Sequence, residues 1–224
     1  MVFPPLIIKQ YGGKSPRFGG FSLVEVLVSL AIIGLILAVV LYNQSDFSDK
    51  IALTNTANEI ALDIREAQVS GVSVKEYQPS SNEFTFAYGV VFNLNSAAGT
   101  LGPKSYIYFI DRGNVNGSYN TSAWSTCAVG GATECLKINM LTRSNIISKI
   151  CAIDSTNTNQ CTPTVGRFDV TFLRPDPSAR FVFRNSSGNV ISFPNHKGAR
   201  VYVQSPKGNQ KSIFIYTSGQ ISVQ

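Results

Sequence analysis

The chain has 224 residues and a mass of 24.3 kDa, room for one domain of ordinary size plus an appendage but crowded for two. With 44% hydrophobic and only 14% charged residues it is too apolar to be disordered, and Gly, Ser, Thr and Asn stand where a cytosolic surface would carry Lys and Glu. The lone His196 excludes multi-histidine metal sites and leaves a catalytic triad one place to form, so no cofactor or metal is expected and the role expected is not enzymatic.

From Phe21 to Leu41 the sequence reads FSLVEVLVSLAIIGLILAVVL, charged only at Glu25. As a helix this run spans about 31 Å, the hydrocarbon thickness of a bilayer. A cleaved secretory signal has a shorter apolar region and a small-residue cleavage site, whereas Tyr42, Asn43, Gln44, Ser45 and Asp46 follow here. Lys9, Lys14 and Arg17 precede the run with no acidic residue, so the positive-inside rule puts residues 1–20 in the cytoplasm and the chain beyond about residue 42 outside.

A carboxylate in such a span costs about 2.5–3.5 kcal/mol when central and less near the interface. Ser22-Leu23-Val24-Glu25 has capping-box spacing, in which Ser and Glu side chains satisfy free N–H groups at a helix start. Glu25 therefore reads either as part of a cap or as the partner of a cation from another chain.

Gly19-Gly20-Phe21-Ser22-Leu23-Val24-Glu25-Val26-Leu27 with the apolar run behind it resembles the processing and assembly signature of type IV pilins and type II secretion pseudopilins. The leader is longer than in many such proteins, and Ser22 replaces the commoner threonine. The resemblance implies that a prepilin peptidase in the cytoplasmic membrane cuts after Gly20 and methylates the new N-terminus, Phe21. It also implies that Glu25 pairs with the Phe21 amine of a neighbouring pilin or pseudopilin subunit during assembly. A buried carboxylate is tolerated when a cation neutralises it, so the implied pairing is physically sound.

Leu53, Ala57, Ile60, Ile64 and Ala67 recur at intervals of three and four, and no proline lies between Pro16 and Pro79. One helix is expected from Phe21 to about Ser70, with Gly71 as its C-cap. Alternating segments then mark strands at residues 72–77, 84–93, 105–112, 136–141, 145–153, 167–173, 180–184, 200–204, 212–217 and 220–223. Turn chemistry at Pro175-Asp176-Pro177, Ser187-Gly188-Asn189 and Ser218-Gly219 separates several of them. The expected organisation is a leader at 1–20, a helix at 21–71 that spans the membrane at 21–41, and an extracytoplasmic head at 72–224. The fold class is α+β, with an antiparallel sheet packed on the helix. In outline, Tyr88-Gly89-Val90-Val91-Phe92-Asn93 and Ile215-Tyr216-Thr217-Ser218-Gly219-Gln220-Ile221 are similar to the GspH/FimT group of minor pilins, although the arginine often found near that group's C-terminal end is absent. The resemblance implies a subunit stored in the membrane and then assembled into an extracytoplasmic filament.

Cys127, Cys135, Cys151 and Cys161 fall in the part placed outside, where disulfides persist, and none has the tight spacing of a zinc site. Three pairings are open; Cys127 with Cys135 and Cys151 with Cys161 is preferred, because each closes a Gly-, Asn- or Thr-rich loop. Residues 21–78 carry 3 basic and 7 acidic side chains, whereas residues 79–224 carry 13 basic and 6 acidic. The basic head makes Arg180, Arg184 and Arg200 candidate DNA contacts, with a solvated surface or the acidic helix as the plainer destination. His196 reads as a surface loop histidine and Trp124 as a buried loop anchor.

Overall fold

The computed structural model describes residues 19–73, 85–95, 102–112, 115–120, 127, 133–156, 158–193 and 195–224. The chain divides into two compact units, Met1–Ser45 and Asp46–Gln224, and a single helix, α1 (Leu23–Val72), begins in the first and ends in the second. Within the first unit α1 is apolar on every side and buries none of that surface. Within the second unit the stripe Leu53, Ala57, Ile60, Ile64 and Ala67 lies on one side of the helix, each residue at most 2% exposed.

Eleven strands are described: β1 (Ala87–Asn93), β2 (Ser105–Asp111), β3 (Cys135–Met140), β4 (Ile146–Asp154), β5 (Asn159–Cys161), β6 (Arg167–Leu173), β7 (Asp176–Arg184), β8 (Val190–Ile191), β9 (His196–Gln204), β10 (Gln210–Tyr216) and β11 (Ile221–Val223). They form two antiparallel sheets, one of six strands in the order β3-β2-β1-β6-β7-β8 and one of five in the order β11-β10-β9-β4-β5. Alternate residues of each sheet turn inward, Phe92, Phe168, Val170 and Phe172 from the first and Ile150, Val201, Val203 and Ile213 from the second. With the α1 stripe they make one shared core, so this is an α+β protein consistent with a pilin-like fold.

Several expectations change. The single sheet becomes two, because the chain lays β1–β3 in one, β4 and β5 in the other, then returns to each in turn. The helix starts at Leu23, where Ser22 caps it, and runs through Gly71 to Val72. Gly71 is therefore no C-cap: it lies against β6, where a Cβ would run into the Phe172 carbonyl oxygen, and its own carbonyl accepts the Arg174 N–H at 3.0 Å. Asp176 and Pro177 belong to β7 rather than to a turn, with Asp176 paired to Leu173 across a register shift, and the short strands β5 and β8 were not anticipated. Val72 closes the helix instead of opening a strand and Ser73 follows in a turn; residues 74–77, Phe84 and Trp124 lie outside the described residues.

Candidate functional site

Gly19 and Gly20 lie ahead of α1 without regular secondary structure, and a Cβ built on either meets no heavy atom within 4 Å. Phe21 follows, 81% exposed, so among the described residues nothing covers the peptide bond between Gly20 and Phe21. The Glu25 N–H donates to Ser22 Oγ at 3.4 Å and the Val26 N–H to Ser22 O at 3.2 Å, which makes Ser22 the N-cap. Glu25 is then the third residue of the helix, near its positive end. Its carboxylate is exposed and, among the described residues, has no partner. Behind it the side chains from Val26 to Leu41 are apolar except Ser29, whose hydroxyl donates to Glu25 O at 2.7 Å and so hides its polarity in the helix backbone. The apolar half of α1 is long enough to cross a membrane.

The second half of α1 is tied to the strands by a row of polar contacts beside its buried stripe. Asp49 accepts hydrogen bonds from Ser205 Oγ at 2.6 Å and Asn209 Nδ2 at 2.8 Å, and these hold its carboxyl below the usual range. Asp63 accepts the Tyr106 hydroxyl at 2.6 Å and Asn139 Nδ2 at 2.7 Å; burial, with that acid beside it, pushes the Tyr106 phenol far up. Tyr108, donating to Ser70 Oγ at 3.2 Å, is pushed up to about 12 by burial. Gln68 Nε2 reaches Pro177 O at 2.9 Å and Gly219 O at 3.1 Å, in a position where a Gly219 side chain would collide with Pro177 O.

On the outer face of the six-stranded sheet the structure holds a site that the sequence did not announce. Asp169, fully buried, pairs with Arg167 at 2.6 Å and accepts the Tyr119 N–H at 3.2 Å. Asp111 accepts the Gly117 N–H and Glu134 the Asn120 N–H, both at 2.6 Å. Burial raises the pKa of all three carboxyls, and Arg167 draws Asp169 part of the way back. Together they clamp residues 117–120 over the sheet, where the Tyr119 ring meets Phe109 edge-on at 5.4 Å between centroids. The only sequence signal was polar alternation in Arg167-Phe168-Asp169-Val170, which reads equally well as a solvent face.

The three candidate DNA contacts are not brought together. Arg180 and Arg184 lie on β7, Arg200 on β9 of the other sheet. Arg180 is exposed, but Arg184 donates to Gly188 O at 3.0 Å and Ser118 Oγ at 3.1 Å, and Arg200 lies over the Phe214 ring at 5.0 Å. His196 is half-buried at the start of β9 against Phe181 and Phe183, with Nδ1 2.8 Å from Phe193 O, and so is not the loop residue expected. Two disulfides join Cys127 to Cys135 and Cys151 to Cys161; the second links paired positions of β4 and β5.

No curated protein and no solved structure matches this chain. A family model described as the prokaryotic N-terminal methylation motif matches residues 15–41. The match takes in the exposed Gly20–Phe21 junction, the capped helix start, Glu25 and the apolar half of α1, and leaves the strands to be read from their own geometry. That motif marks the N-terminal segment of the chain as type IV prepilin-like, and it implies processing by prepilin peptidase and assembly with other pilins.

Proposed function

We propose that the chain is a minor structural subunit of a type IV pilus or type II secretion pseudopilus, held in the cytoplasmic membrane with its head outside until assembly. The observation that carries this reading is a helix start that is capped, exposed and apolar on every side, with one unpartnered carboxylate at its third position. A helix without a polar side is stable only when something apolar surrounds all of it, here lipid before assembly and neighbouring helices afterwards. Cleavage between Gly20 and Phe21 frees an amine, and Glu25 sets axial register by accepting that amine from a neighbour. The two disulfides suit an oxidising compartment, and a head held by them and by a clamped loop suits a subunit of particular position more than a bulk one, in keeping with the GspH/FimT outline. The role is structural, with α1 as the assembly element.

Intact mass and N-terminal sequencing of the membrane form made with a prepilin peptidase test the reading, beside a Gly20→Glu control. The expected product starts at a methylated Phe21, and the control stays uncut. An uncut wild-type chain would make Phe21–Leu41 a plain signal anchor and end the filament reading.

A further inference from the structure

The second half of α1 has an outer side as well as a buried one. Opposite the Leu53–Ala67 stripe, Leu62 is 59% and Val69 66% exposed, one heptad apart, and Glu59 and Glu66 accompany them at the same interval. The other acids of this half are occupied by the head, Asp46 by Lys207 and Asp49 by Ser205 in the turn between β9 and β10, and Asp63 by Tyr106 of β2. Glu59 and Glu66 have no partner among the described residues. Two unpaired acids between exposed aliphatic side chains make a surface with a missing counterpart.

The outer face of the five-stranded sheet has the complementary chemistry. Strand register puts Lys149 opposite Tyr202 and Arg200 opposite both Cys151 and Phe214, so the two cations are diagonal neighbours on one face. Lys149 Nζ sits over the Tyr202 ring at 4.6 Å, Arg200 over Phe214, and Arg200 Nε is buried without a hydrogen-bond partner. Each cation has an aromatic ring beneath it and, among the described residues, no carboxylate beside it. The residues that share this face from β4, β9, β10 and β11 include no acid. On this face Lys149, Arg200 and Tyr202 are half-buried and form the outer layer, with Cys151, Ile153 and Phe214 buried beneath them.

We propose that the outer side of α1 around Glu59, Leu62, Glu66 and Val69 docks on the outer face of the five-stranded sheet, around Lys149 and Arg200, of a second copy of this chain, an interface that deepens the filament reading above and rests on it. Charge decides the occupant. Two copies meeting helix to helix would oppose acid to acid, and sheet to sheet cation to cation; only helix to sheet joins opposite signs. The inner sides of α1 and of this sheet face one core, so their outer sides turn away from each other and a single copy cannot satisfy itself. The contact is head-to-tail and leaves one free face at each end, so copies of a minor subunit can follow one another over a short run of a filament.

Zero-length carbodiimide cross-linking of the full chain in membranes, made with a prepilin peptidase, tests this, because it joins a carboxylate only to an amine already beside it. The expected result is a ladder of adducts in which Lys149 Nζ of one copy is amide-linked to Glu59 or Glu66 of the next. Glu59→Lys with Glu66→Lys, or Lys149→Glu with Arg200→Glu, should each reduce the ladder by about tenfold or more, and co-expression of the two double variants should restore it, since every contact then joins opposite signs again. That rescue separates a lost interface from a misfolded head, as do intact disulfides in each double variant. A ladder indifferent to the charge reversals, a ladder that vanishes on nuclease treatment, or Lys149 adducts only to another protein would overturn the proposal. The mass of the same samples reports cleavage at Gly20 separately, so an uncut chain with an intact ladder removes the filament reading alone, and a cut chain without a ladder removes this interface alone.

Discussion

Residues 23–45 and 46–72 belong to one helix and follow opposite rules. The first stretch spreads Leu, Ile and Val over every side and buries none of them; the second keeps its buried apolar residues to one stripe and sets Asp49, Asp63 and Gln68 along the margins, where each meets a strand or the turn between two strands. Helical hydrogen bonding is common to both and so explains neither. What differs is the solvent each stretch is written for: lipid or a neighbouring helix on all sides in one, a sheet on one side in the other. Helix propensity makes the rod, and the pattern of side chains assigns each length of it a partner.

The comparison breaks if the two stretches respond alike to the same substitution. Ile60→Ala empties a fully buried site between α1 and the sheets and is expected to lower the stability of the head by about 2–5 kcal/mol. Ile33→Ala removes the same atoms from a side chain that touches no part of the head core and should leave that stability unchanged. Denaturant unfolding of the full chain in micelles reads both. A loss from Ile33→Ala comparable to that from Ile60→Ala would mean that the first stretch also carries the head's fold.

Both rules were legible before the structure, because each is a property of spacing along one element. The 4-3-4-3 interval from Leu53 to Ala67 gave the buried stripe, and the unbroken apolar run gave the other half. Long-range pairing was not legible. The alternation in β6 says that Arg167, Asp169 and Thr171 share a face, but nothing local says that residues 117–120 cover it, so Asp169 reads as exposed and is fully buried. Arg184 likewise reads as a free cation, and its partners, Ser118 and Gly188, are set by a loop crossing and a turn. The division into two sheets depends on which strand each chain segment returns to, a choice that turn residues do not encode. Pro175-Asp176-Pro177 shows the same limit: turn chemistry is present, yet Asp176 pairs with Leu173 across an irregular register.

Glycine gives a second, smaller contrast. Gly71 lies so close to β6 that an added methyl group would meet Phe172 O, so Gly71→Ala should cost about 1–3 kcal/mol of head stability by forcing helix and strand apart. Gly34 has no heavy atom within 4 Å of the position a methyl group would take, so Gly34→Ala should leave the head's unfolding midpoint where it is. Equal midpoints for the two variants would show that α1 slides on the sheet to make room.

The smallest effect is expected at the helix start, and it bears on why a carboxylate occupies position 25. Ser22→Ala removes the acceptor of the Glu25 N–H, and because that bond is long at 3.4 Å the loss should fall at the low end for a cap, about 0.5–1 kcal/mol. Amide exchange at residues 23–26 of the full chain in micelles should then quicken about two- to fivefold, while the head's unfolding stays fixed, since these residues lie outside its core. Faster exchange confined to that turn would show that the Ser22 cap orders the first turn of α1. Unchanged exchange would mean that the surrounding apolar phase orders the first turn without the cap. In either outcome the cap engages the Glu25 N–H and not its carboxylate, so the cost of that carboxylate in an apolar span has to be offset by something other than the Ser22 cap, such as pairing with another chain.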